Sequence, residues 1–176
     1  MTPFGAKMNF FREVKAEHRV LEKIVERLEL AAQVEGIGAW GRIWGVLAIL
    51  LPILEIHEEM ENSLIEKESY LKERGAAAIL DVIEEQHLHL KRLIEQISAL
   101  PLQPGHGPLG RLRKWSKELA WRLRDHFKME EERLWPHYSR TMSRSLGRSM
   151  GRRIESNVLG VEKMIGQKWD QGQSIS

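Results

Sequence analysis

Four histidines and a few glutamates carry the chemistry in this chain. His18, His57, His87 and His126 each lie inside a long helix-forming stretch, and Glu61 and Glu130 follow two of them by four residues. Side chains four apart share one face of a helix, so each such pair can grip one object from one side. Imidazole and carboxylate together suit iron, manganese or zinc. The sequence has no cysteine, which removes thiolate sites, iron–sulfur clusters, disulfides and cysteine nucleophiles.

The apolar register decides where these groups point. Val14, Leu21, Val25 and Leu28 form one stripe, and His18 fills its gap. Leu50, Leu54 and Leu64 form a second stripe that contains both His57 and Glu61. Leu80, Ile83, Leu90, Ile94 and Ile97 form a third around His87, and Leu112, Trp115, Leu119, Leu123 and Leu134 a fourth around His126 and Glu130. Each of four helices therefore aims one histidine at the common core. An isolated buried histidine is usually satisfied by a backbone carbonyl. Four in register, with two carboxylates whose burial needs partners, point to a metal centre. A carboxylate bridging two ions, with histidines at the ends, fits a dinuclear centre. His89 lies off the stripe, His106 falls in a loop and His137 follows Pro136, so these are read as solvated or supporting residues.

The elements that position these groups read as long helices: Asn9–Gln33, Ala39–Glu73, Ala76–Leu100 and Leu109–Trp135, with a weaker fifth from Thr141 to Gly166. Pro52 is a possible kink in the second helix, and Pro136 is expected to stop the fourth. The segment PLQPGHGPLG (Pro101 to Gly110) is the clearest linker. No stretch alternates as a strand does. The expected fold is all-α, an antiparallel up-down four-helix bundle with an additional C-terminal helix. The bundle is assigned to residues 1–136 and the basic helix and tail to 137–176.

Composition sets the class. With 176 residues, 42% hydrophobic and 30% charged, the chain reads as one globular domain. A net charge of +2 gives no expectation of nucleic acid. The N-terminus lacks the pattern of a signal peptide. Ile37 to Ile56 is about long enough for a bilayer but carries Arg42, glycines and Pro52, and is read as a buried helix. The expected location is cytoplasmic.

The segments AEHRVLEKI around His18, HEEMEN at His57 to Asn62, EEQHLHLKRLIEQI around His87 and DHFKMEEERLWP from Asp125 to Pro136 resemble the hemerythrin-like proteins, the HHE cation-binding domains. The resemblance covers roughly Asn9 to Pro136. It implies two non-haem irons (Fe) held by His18, His57, Glu61, His87 and His126, with Glu61 bridging. It also implies a further carboxylate from Glu130 or Glu131. Glu130 is preferred because it lies on the stripe, and Glu58 is a further candidate. Oxygen-carrier hemerythrins have another histidine four residues after the one matching His87. Here that position is Lys91, which argues against reversible oxygen carriage and for sensing, redox, peroxide or iron-handling roles. A ferritin-like site needs two Glu-x-x-His pairs, and only Glu84 to His87 offers that spacing near a core histidine.

The expected function is therefore metal binding at a di-iron centre that takes O2 or another small diatomic or peroxide ligand, in oxygen, redox or iron sensing or in stress response. The sequence leaves catalysis open, and a di-iron oxidase or peroxidase is one alternative. Another is a regulatory module. Arg140, Arg144, Arg148 and Arg152 form a basic stripe opposite Met142, Leu146 and Met150, so the Arg140–Arg153 helix is a candidate for a protein partner or a homodimer contact.

Overall fold

The computed structural model describes residues 4–67, 77–101 and 106–141, and further on 151–152, 154, 156, 159–160 and 163. Four long helices account for most of these: α1 (Phe4–Gln33), α2 (Gly38–Lys67), α3 (Ala77–Ser98) and α4 (His106–Met129). A single wide turn, Glu130–Leu134, joins α4 to a short α5 (Trp135–Thr141). Among the described residues there is no strand. The helices pack as a bundle in which α1 lies against α2 and α4, and α4 lies against α2 and α3.

Each helix forms because its apolar residues repeat at three- and four-residue spacing, giving one stripe to bury. In α1 the buried stripe is Val14, Leu21, Ile24, Val25 and Leu28; in α3 it is Leu80, Ile83, Leu90, Leu93 and Ile97. α2 runs unbroken through Pro52, whose side is exposed, so the lost hydrogen bond opens toward solvent rather than into the core. α2 is also the one described helix long and apolar enough to cross a membrane. Its inward face is filled by Ile43, Leu47, Leu50 and Leu54, packed against the other helices.

The buried residues form two apolar clusters. The larger contains Leu21, Leu28, Leu50, Leu54, Leu90, Leu119 and Leu123 among others. The smaller contains Val14, Met60, Leu80, Ile83, Leu134, Trp135, Tyr138 and Ile154. On α1, α2 and α3 the histidine lies between the parts that enter the two clusters, while on α4 His126 sits between Leu123 and Phe127 of the larger one, just ahead of Met129 and Leu134 at the smaller.

Three sequence expectations about helix ends are corrected. α1 begins at Phe4 rather than Asn9. α4 begins at His106 rather than Leu109, so His106 opens a helix instead of lying in a loop. The fourth helix does not stop at Pro136, because the chain continues helically to Thr141. The reason is the wide turn before the proline, in which the Trp135 N–H donates to the Glu130 carbonyl five residues back. Such a π-turn widens the helix locally and relieves the clash a proline ring makes with the preceding turn. Glu68 to Glu73, the end expected for the second helix, lies outside the described residues, as does most of the Arg140–Arg153 stripe. Arg152 is exposed, and Ile154 is buried in the smaller cluster.

Candidate metal centre

Between the two clusters lies a layer of buried polar side chains: Glu17, His18, His57, Glu61, His126 and Glu130, with His87 only 11% exposed at its edge. The distances sort the carboxylate oxygens. Glu130 Oε2 faces His18 Nε2 at 3.0 Å and His57 Nε2 at 3.8 Å, while its Oε1 faces His126 Nε2 at 3.1 Å. Glu61 Oε1 faces His57 Nε2 at 3.7 Å, while its Oε2 faces His87 Nε2 at 3.1 Å and His126 Nε2 at 3.7 Å. His87 and His126 bring their Nε2 atoms within 3.3 Å of each other. Ligand atoms of His57, Glu61, His126 and Glu130 all lie within 4.8 Å of one another.

All four imidazoles thus present Nε2 inward, and three have Nδ1 held from outside. His57 Nδ1 meets Glu17 Oε2 at 3.2 Å, His18 Nδ1 meets Glu131 Oε1 at 2.9 Å, and His126 Nδ1 meets Gln86 Oε1 at 3.2 Å. A ring nitrogen facing a carboxylate or amide oxygen is the one that keeps its proton, so Nε2 is the nitrogen able to give a lone pair to a metal once its own proton leaves. The π-turn has a specific role here. It lets the consecutive residues Glu130 and Glu131 reach the two different nitrogens of His18.

His87 Nε2 is in hydrogen-bonding position to Glu61 Oε2 and His126 Nε2, but the other inner atoms are close without being bonded. His18 Nε2, His57 Nε2, Glu61 Oε1 and both Glu130 oxygens are buried and make no aligned hydrogen bond. Buried polar atoms are nearly always paired, so this group of orphans needs a reason. Donors that share one metal ion at about 2.0–2.2 Å stand roughly 3 Å apart while aiming at a common point rather than at each other. The spacings and the missing alignment both fit. Without a metal the group must balance its charge with protons. Burial lowers the affinity of His57 and His126 for a proton, but Glu61, Glu17 and Glu130 outweigh it, raising His57 to about 9. Glu130 and Glu61 raise His126 to about 10 in the same way. Burial alone would push Glu130 up, but the facing His126 and His18 hold it well below the usual carboxylate range. Metal binding must therefore displace protons.

Beside the layer is a cavity of about 20 Å3, touched by His57, His87 and His126 and walled mainly by Leu54, Leu90, Ile94 and Leu123. It has room for one water-sized molecule. Phe127 covers another side, stacked on His18 at 4.6 Å between ring centres and edge-on to His57 at 5.8 Å.

The sequence-based residues fall into place unevenly. His18, His57, Glu61, His87, His126 and Glu130 meet in the layer. Glu131, 30% exposed, stands outside it against His18 and 3.7 Å from Lys15. Glu58 lines the small cavity and also a surface depression shared with Lys91 and Glu95. Lys91 is exposed there, on the rim. Glu84 is exposed, so the ferritin-like spacing does not reach the core. The Leu64 side chain lies outside the described residues. Sequence reasoning missed Glu17 and Gln86. Glu17 had a signal, since Val14, Glu17, Leu21, Ile24 and Leu28 recur at three and four, which places it on the buried face. Gln86 had none, because its role depends on a residue of another helix.

The fold and this cluster define a helical-bundle protein with a buried histidine–glutamate group able to hold metal. Residues 78–155 match the family model of the Hemerythrin HHE cation binding domain, so over that stretch the chain is hemerythrin-like, as its motifs suggest. The match takes in His87, His126, Glu130 and Glu131, while α1 and α2 supply His18, His57 and Glu61 from outside it. No curated protein and no solved structure matches the chain.

Proposed function

We propose that the protein is a non-haem di-iron protein of hemerythrin type that binds O2 or a related small ligand in redox, oxygen or iron sensing or in stress response. The observation that carries this reading is the division of the carboxylates. Glu61 and Glu130 each turn one oxygen toward His18 or His57 and the other toward His126 or the His87–His126 pair. Two buried carboxylates that each span two groups of imidazoles suit two cations side by side. Histidine and carboxylate without thiolate suit iron, and the HHE match supports the same metal. Iron held here would supply a redox-active Lewis acid.

The protein's own groups do the rest. Glu17, Glu131 and Gln86 fix the imidazole tautomers. Leu54, Leu90, Ile94 and Leu123 keep the adjoining cavity apolar, and its size suits a diatomic or a water rather than an organic substrate. Lys91 on the rim supplies no imidazole, which favours sensing over reversible carriage. The reading includes an up-down antiparallel bundle. The aliphatic that joins the larger cluster follows the histidine in α1 and α3 (Leu21, Leu90) and precedes it in α2 and α4 (Leu54, Leu123), an alternation that supports it. The C-terminal segment is read as a further helix closing the smaller cluster through Ile154. The absence of cysteine is compatible with the reducing cytoplasm.

The test is metal analysis of the full chain loaded anaerobically with ferrous ion, with visible spectra before and after air. About two irons per chain and an air-dependent visible band are expected. A chain that stays metal-free, with unchanged stability, overturns the reading.

A further inference from the structure

The outer partners of the four histidines are unequal. On one side, His18 and His57 both have Nδ1 against a carboxylate, Glu131 at 2.9 Å and Glu17 at 3.2 Å. On the other, His126 has a neutral amide, Gln86 at 3.2 Å, and that amide also donates to Asp125 at 3.0 Å. His87 has no outer partner described at Nδ1 and is the most exposed of the four; the cavity is shared by His87, His126 and His57. A carboxylate that accepts the Nδ1 proton raises the electron density at Nε2 and locks the ring, and both strengthen the bond to a cation. An amide does this less, because it bears no charge.

We infer that the two metal positions differ, with the carboxylate-backed half (His18, His57 and the oxygens facing them) the tight, permanent one and the His87–His126 half the weaker, exchangeable one, and that Glu17 is the positioning residue that sets the difference. This rests on the two-cation reading above. Glu17 never faces the centre. It acts through His57, and its burial between helices leaves it no solvent partner to compete for the interaction.

The proposal is tested by titrating the full-length metal-free protein with ferrous ion under anaerobic calorimetry. The wild type is expected to bind in two steps at least about tenfold apart in affinity. Glu17→Gln is isosteric and should weaken the tighter step by about 10- to 100-fold, the usual size of such outer contacts, and leave the other step unchanged. Glu131→Gln lies at a partly exposed side chain and should weaken the same step without endangering the fold. Gln86→Leu should weaken only the looser step. Melting of the metal-free variants checks that the fold is kept. If Glu17→Gln does not fold, Glu131→Gln decides alone. Two equal steps, or a tighter step untouched by Glu17→Gln and Glu131→Gln, overturns the asymmetry and leaves the two-cation reading standing. A wild type that binds one ion or none overturns that reading and the inference with it.

Discussion

Three residues from each of the four histidines stands a buried leucine: Leu21 beside His18, Leu54 beside His57, Leu90 beside His87 and Leu123 beside His126. The two layers share the same four helices and nearly the same burial, yet their energetics are opposed. The leucine layer stabilises the fold by about 25 cal/mol for each Å2 of apolar surface removed from water. The histidine–glutamate layer gives up hydration worth several kcal/mol per ion and recovers it only with good pairing. Here the opposite charges outweigh burial at His57, His126 and Glu130, yet five buried atoms at the centre make no aligned hydrogen bond. A layer whose central atoms are left unaligned, beside one that only packs, has the form of a site built for a cation. It follows that stability and metal binding should separate cleanly by layer.

The largest separation is expected at Glu61, which is fully buried and faces three of the four histidines. A metal present at about 1,000 times its dissociation constant stabilises a protein by about 4 kcal/mol, since it binds only the folded state. Glu61→Gln keeps the shape and removes the charge, so more than half of that metal-dependent increment should vanish. Thermal melts of wild type and variant, each with ferrous ion and with chelator, measure it. An increment that survives unchanged would mean the layer is only a polar network.

Leu28, two turns beyond Leu21 in the same apolar cluster, tests the apolar side of the comparison. It is fully buried in the larger cluster, and Leu28→Ala removes methyl groups and leaves a cavity. A loss of about 3 kcal/mol is expected, equal in the metal-loaded and metal-free protein, with the iron stoichiometry unchanged. Denaturant unfolding under both conditions reads this directly. A variant that folds but loads less metal would show that the layers are coupled.

How much of this was legible depends on whether a feature is periodic. The four stripes were, so the helices and the inward aim of His18, His57, His87 and His126 followed from spacing alone, as did Glu61 and Glu130 at one turn's distance. Glu17 was equally periodic, but a charged residue next to a histidine reads as surface until its partner His57, forty residues away, is known. The π-turn was not legible. Its signature is one backbone bond, from the Trp135 N–H to the Glu130 carbonyl, and the following Pro136 pointed to a helix end instead. The stripe favoured Glu130 over Glu131, but that the widened turn brings both to His18 was hidden for the same reason.

The smallest effect is expected where the chain leaves α1, at the end of the larger cluster away from the histidines. Gly36 has φ of +73°, a conformation that costs an ordinary L-residue about 1 kcal/mol. The Arg113 guanidinium of α4 donates to the Val34 carbonyl and, at 3.2 Å, to that of Gly36, which also accepts from the Ala39 N–H, so the turn just past α1 is tied to α4. A Cβ added at Gly36 would meet nothing within 4 Å, so the backbone alone sets the penalty. Gly36→Ala should therefore lower the melting temperature by about 2–4 °C for a chain of this size. Gly36→Asn should lower it less, because asparagine tolerates left-handed backbone better. Both should leave the metal-dependent increment intact. If Gly36→Ala shrank that increment, the turn and the metal layer would share an energetic link, and the separation by layer would fail at its most distant point.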